Sequence, residues 1–151
     1  MIRPHRGRLP RVHPTAFIDD SAQVIGEVEI GEESSVWMCV SVRGDVNWIR
    51  IGRRTNIQDG SVVHGCTIEN RCLIGMGVIL LNGSHVGTES IVAAGTLLVE
   101  NMQVPPRSLV MGSPGKVKRT LTDDEVAGIQ GYANRYVGYR VDYMNSSSAG
   151  L

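Results

Sequence analysis

Residues 68–115 read IENRCL IGMGVI LLNGSH VGTESI VAAGTL LVENMQ VPPRSL VMGSPG when broken every six positions. The blocks open on Ile68, Ile74, Leu80, Val86, Val92, Leu98, Val104 and Val110, an unbroken run of aliphatics. Ile, Leu and Val supply 40 of the 151 residues, so chance gives such a run with a probability on the order of 10⁻⁵. Upstream, Ile18, Val24, Ile30, Val36 and Val42 keep the same frame, and Ile51, Ile57 and Val63 resume it after a three-residue slip. Four positions after the aliphatic stands a small or β-branched residue, as at Ala22, Val28, Ser34, Val40, Val46, Val78, Ser84, Ser90 and Thr96. Glycine follows the aliphatic directly at Gly31, Gly52, Gly75 and Gly87.

A period of six is neither the helical 3.6 nor the bare alternation of a strand. It predicts an all-β solenoid of triangular section, each hexapeptide giving one short strand and one corner, with three to a coil. The aliphatics point inward and stack from coil to coil. Small residues and glycines suit the corners, where the backbone turns tightly or comes close to its neighbour. A sandwich of separate strands would show turn signals every 8–12 residues instead of one fixed frame. The narrow core leaves little room for rings, and only 5% of residues are aromatic.

With 151 residues and 16.4 kDa the chain suffices for one domain. Fifteen basic residues balance fifteen acidic ones, which argues against a nucleic-acid or anionic-membrane binder. No apolar run is long enough to span a bilayer, and the basic start from Met1 to Arg8 lacks the apolar stretch of a secretory signal. Cys39, Cys66 and Cys72 are an odd number at no metal-ligand spacing, expected as reduced thiols in a cytoplasmic protein. Arg3, Arg6, Arg8 and Arg11 read as a solvated arm, with anion binding the alternative.

The frame stops after Val117. Thr122-Asp123-Asp124-Glu125 has the form of a capping box, with Leu121 and Val126 placed for a hydrophobic staple. Val126, Ile129, Ala133, Tyr136 and Tyr143 form the apolar stripe of a predicted helix that lies along the solenoid. Gly128, Gly131 and Gly138 each cost it roughly 1 kcal/mol relative to Ala, so docking must supply its stability. The four tyrosines, Tyr132, Tyr136, Tyr139 and Tyr143, are expected to pack it on the solenoid or on a neighbour. The chain thus divides into a hexapeptide-repeat β-helix domain over 1–119, a helix over 120–145 packed on it, and a frayed tail over 146–151.

Three stretches depart from plain solenoid chemistry. Between Val42 and Ile51 the aliphatics are nine residues apart, so Arg43-Gly44-Asp45-Val46-Asn47-Trp48 must bulge from a corner. Asn56-Ile57-Gln58-Asp59-Gly60-Ser61-Val62-Val63-His64 is rich in polar groups, and Val110–Val117 is the exit from the last coil. Arg43-Gly44-Asp45-Val46-Asn47, then Ile49-Arg50-Ile51-Gly52 and Asn56 to His64, resembles the signature of the γ-class carbonic anhydrase family within the hexapeptide-repeat superfamily. The resemblance runs from about Val12 to Arg119. It implies a left-handed coil, an exception to the right-handed crossover rule. It also implies a homotrimer with zinc held at each subunit interface by three histidines, two from one chain and one from its neighbour. His64 matches a zinc ligand, Arg43, Asp45 and Asp59 match charged interface positions, and Gln58 matches the residue beside the metal-bound solvent. The implied activity is reversible hydration of CO₂ to bicarbonate. Zinc lowers the pKa of bound water toward neutrality and three protein ligands leave its fourth position open.

The sequence departs from the family at the metal. His64 matches the first ligand when read from upstream and the third when read from downstream, because Val62-Val63-His64 runs straight into Gly65-Cys66-Thr67-Ile68. The step from Val63 to Ile68 is five residues, the only short one in the series. The coil between the two ligands is missing, which leaves the solenoid intact and removes two histidines. His85 lies twenty-one residues after His64 and does not stack on it, while His5 and His13 precede the first regular coil. The alternatives are a contribution from a neighbouring subunit, a chain without catalytic zinc, or a segment of the natural chain absent from this one. The functional readings are a carbonic anhydrase, a non-catalytic trimeric scaffold or assembly subunit, and third an acyl-CoA-dependent acyltransferase, which lacks the usual long loop here. Without the resemblance, His64 and Gln58 are corner groups bonded to backbone and the three charges are solvated. Cys66 and Cys72 read as small core residues.

Overall fold

The computed structural model describes residues 1–148. It is a left-handed parallel β-helix with a C-terminal helix. Three inward columns form the core. On the first face Val24, Val42, Val63, Leu80 and Leu98 are in register. On the second, Val12, Ile30, Ile51, Ile68, Val86 and Val104 are. On the third, Ile18, Val36, Ile57, Ile74, Val92 and Val110 are. All but Val12 and Ile18, at the open N-terminal end, are buried. Each such side chain contributes about 1.5–3 kcal/mol by leaving water. The strands Gln23–Ile30 and Ser41–Ile51 run through a corner, joining the first two faces into one ten-stranded sheet; the third face is a separate seven-stranded sheet.

The small residues four positions on are also buried, including Ala22, Ser34, Ser84, Ser90 and Thr96. Val46 is the exception at 73% exposed, because the bulge carries it out of the frame. Gly52 shows why glycine follows the aliphatic: a Cβ there would lie 2.5–2.7 Å from Asn70 Oδ1, Glu69 C and Asn70 N in the next coil. One corner departs from the expected glycines. Between the second and third faces Glu33, Arg54, Arg71, Glu89 and Arg107 all take φ from 52° to 60°. The backbone N–H groups of Arg54, Arg71, Glu89 and Arg107 find carbonyls one coil below, as from Arg54 to Glu32 at 2.8 Å and from Arg71 to Arg53 at 2.9 Å, and that of Glu33 finds Thr15 Oγ1 at 3.0 Å. Opposite charges also meet, Arg71 with Glu89 at 2.8 Å and Arg54 with Glu33 at 3.5 Å. These contacts offset the roughly 1–2 kcal/mol that each left-handed residue costs. The arginine arm is likewise tied down in part, since Arg8 pairs with Glu27 and Arg11 with Glu29.

The helix Asp123–Ser148 closes the third face. Its last turns enter the segment expected as a tail, of which residues 149–151 lie outside the described residues. Leu121, Val126 and Ile129 pack on Leu73, Ile91 and Leu109. Farther along, Tyr136 and Tyr143 meet Trp37, and Tyr143 meets Phe17. Tyr132 and Tyr139 are exposed, and Tyr143 stays 45% exposed despite those contacts. The capping box forms as the sequence implies, the Glu125 N–H donating to Thr122 Oγ1 at 3.2 Å and the Thr122 N–H to Glu125 Oε2 at 2.9 Å. Thr122→Ala should cost about 1 kcal/mol of stability in urea unfolding. Arg119, bonded to both Glu125 oxygens, and then the Thr122 N–H hold the Glu125 carboxyl down to about 2. Its contribution is therefore complete above the ordinary value of 4.5 and is lost as pH falls toward 2. Acid titration followed by circular dichroism should show the helix loosening in that window, and Glu125→Gln should remove that part of the transition.

Candidate functional site

The corner between the first and second faces carries the unusual sequence. Arg43 and Gly44 still pair with Ile25 and Gly26, and pairing resumes at Ile49 opposite Val28. Residues 45–48 therefore stand out against a single residue below, Glu27. One coil up, His64 pairs with Arg43. Its Nδ1 donates to the Arg43 carbonyl at 3.1 Å and lies 3.8 Å from Asp45 Oδ1. Arg43 Nε is 3.4 Å from the same oxygen. Three of the sequence-predicted residues, Arg43, Asp45 and His64, thus form one cluster.

The other two lie across the first face, at its corner with the third. Asp59 is exposed and its carboxylate has no partner among the described residues, although its backbone carbonyl accepts from Gly77. Gln58 donates from Nε2 to Tyr136 Oη on the helix at 3.0 Å. Within one chain it therefore belongs to the helix-docking surface and not to the His64 cluster.

The resemblance implies two zinc histidines from one chain, and this chain does not place a second one in the coil above His64. Val63 pairs with Leu80 one coil up, and the residues that follow there, Leu81-Asn82-Gly83-Ser84, include no histidine. Among the described residues no group of three or more His, Cys, Asp or Glu is placed to hold a metal. His85 is on another face, paired with Thr67 and Gln103, in agreement with its spacing. Cys66 and Cys72 are core residues whose thiols burial pushes up to about 12, which leaves them protonated and unreactive. Cys39 is exposed, and all three cysteines are free.

One polar group escaped the sequence reading. Glu69 accepts from the Thr88 N–H at 2.8 Å and the Thr88 hydroxyl at 2.7 Å, and from His85 Nε2 at 2.9 Å. Those bonds, Thr88's hydroxyl foremost, hold its carboxyl below the usual carboxylate range. The signal was available: Glu69 follows Ile68 in the position that is Gly31, Gly52 and Gly87 in other coils.

No model of a known protein family matches the chain. The chain is 36% identical to the protein YrdA of Escherichia coli over an alignment of 177 residues, covering 98% of this chain and 96% of that one. It is 35% identical to a carbonic anhydrase of Geobacillus kaustophilus over 159 residues, covering 91% and 87%. Among solved structures, a hexapeptide transferase family protein from Anaplasma phagocytophilum shares 36% identity at a TM-score of 0.75, covering 94% and 97%. Both sequence alignments are longer than the 151-residue chain, so the relatives carry residues with no counterpart here. From the repeat, the left-handed coil, the Arg43 to His64 signature and these identities, the chain is a member of the γ-carbonic-anhydrase-like family of hexapeptide-repeat proteins.

Proposed function

We propose that the chain is a trimer-forming assembly subunit of the γ-carbonic-anhydrase type whose own residues do not complete the family's zinc centre. The observation that supports this reading is the coil above His64, where Leu80 pairs with Val63 and the residues that follow, Leu81-Asn82-Gly83-Ser84, offer no second imidazole. The surface supports the assembly. The third face is covered by the helix, and the second bears ion pairs such as Arg50 with Glu29 at 2.9 Å. The first face instead presents Val62, Ile79 and Val99, each about 40% exposed, and the adjoining bulge presents Val46 and Trp48. An uncovered apolar face of this kind marks a contact surface. It is flanked on one edge by Arg43, Asp45 and His64 and on the other by Asp59. Head-to-tail contacts around a threefold axis would bring those two edges together. Arg43 and Asp59 would then set the register between copies, more than add stability. The free thiols favour a reducing compartment such as the cytoplasm.

The relative named carbonic anhydrase supports a second reading, CO₂ hydration at zinc held by His64 together with donors from a neighbouring copy. Sedimentation, zinc analysis of protein purified without chelator, and a CO₂ hydration assay separate the two. Trimers with far less than one zinc per chain and hydration at the uncatalysed rate are the expected result. Stoichiometric zinc with hydration that chelation abolishes would overturn the assembly reading in favour of the enzyme, and a monomer would overturn both. Arg43→Ala should shift the trimer toward monomer at equal protein concentration.

A further inference from the structure

The nine-residue step and the five-residue step lie one above the other at the same corner. The bulge at Asn47 and Trp48 overhangs a turn that is one residue short, and a recess of about 180 Å³ opens between them. Gly65 forms the short turn at φ 58°, where a Cβ would meet Asn82 Oδ1 at 1.9 Å. His85, Thr67, Cys66, Trp48 and Gln103 line the recess. His85 Nε2 is committed to Glu69, and Thr88 fixes the other Glu69 oxygen, so the carboxylate cannot turn away. The proton therefore sits on Nε2, and Nδ1 is left with an unshared pair and no partner among the described residues. Thr67, directly opposite His85 across the ladder, has a hydroxyl without a partner among the described residues.

We propose that this recess is a metal-free proton-transfer site in which His85 Nδ1 is the general base, Glu69 its positioning carboxylate, and the substrate a small, uncharged, activated carboxylic ester cleaved by water. A carboxylate that holds one imidazole nitrogen protonated leaves the other to act as a base. No Lys or Arg lines the recess and Glu69 stands beside it, so an anion is disfavoured, while Trp48 and Cys66 offer an apolar wall to an acyl group. The groups facing His85 are Glu69 and Thr67 from the coil below, Gln103 from the coil above, and the neutral Asn47 and Trp48 of the bulge. In the reaction Nδ1 takes a proton from water as the water oxygen bonds to the carbonyl carbon. Thr67 Oγ–H donates to the oxygen that gains charge. The bond to the leaving oxygen then breaks with its electron pair, and the imidazolium returns the proton to it.

The site is independent of the assembly reading and of zinc, and its assay is run in excess chelator. The probe is p-nitrophenyl acetate, hydrolysed by wild type, His85→Ala, Glu69→Gln and His13→Gln. Wild type should exceed an equal concentration of free imidazole. His85→Ala should lose about a hundred-fold in kcat/KM, and added imidazole should restore part of it. Glu69→Gln should lose about ten-fold, in kcat with KM unchanged, because it frees the ring's tautomer and orientation. His13→Gln, on a distant exposed turn, should match wild type. The proposal is overturned if His85→Ala keeps the wild-type rate, if imidazole fails to rescue a folded His85→Ala, or if Glu69→Gln changes neither constant.

Discussion

Replacing Leu80 by alanine lowers the unfolding free energy by about 2–5 kcal/mol. Leu80 is fully buried between Val63 and Leu98 in the first-face column. Its removal costs the transfer energy of the lost methyl groups and leaves a cavity that the columns cannot close. They cannot close it because the spacing between coils is fixed by backbone ladders on all three faces. In a solenoid each coil contacts only its neighbours, so a defect at mid-stack weakens the coupling of the coils on either side. Urea unfolding of wild type and variant measures the difference. A broadened or two-step transition would report lost coupling, and a change below about 1 kcal/mol would contradict the packed-column account. Ile18→Ala, near the open end where burial is only partial, should cost less than Leu80→Ala.

Gly52→Ala is the second large effect, expected at about 3 kcal/mol or outright failure to fold. Gly52 does not have a positive φ, so the backbone would accept alanine in isolation. The obstacle is the next coil, whose atoms would stand 2.5–2.7 Å from the new methyl group. Glu69 C and Asn70 N are backbone and recede only by parting the ladder. Gly60→Ala supplies the comparison: there φ is +69° and nothing lies within 4 Å. Alanine at that position costs only the left-handed conformation, about 1–2 kcal/mol. Thermal and urea unfolding of the two variants should rank Gly52→Ala well above Gly60→Ala; equal losses would overturn close approach as the reason glycine follows the aliphatic.

Much of the architecture was legible because each hexapeptide repeats one physical requirement. An aliphatic must face a narrow interior, and the next coil must accept it in register, so the period appears directly in the residues. The capping box was equally local, since Thr122 and Glu125 satisfy each other's backbone N–H groups within one turn. The slip at residues 43–50 and the short step after Val63 could likewise be counted, while the missing histidines were implied only by the family resemblance. Gln58 was not legible in this way. Its partner, Tyr136, is seventy-eight residues away, and nothing in the repeat says which face the helix covers. Glu69 and His85 sit in different coils, and only stacking makes them neighbours.

The amino-acid order by itself determined the coil, its columns, its interruption at His64 and the cap that starts the helix, since all of these arise from neighbours in the chain or from a strict period. The tertiary structure alone decided which polar groups meet. Those meetings depend on corner length and on coil-to-coil register, and a single residue added or removed at a corner carries every later side chain to a new partner.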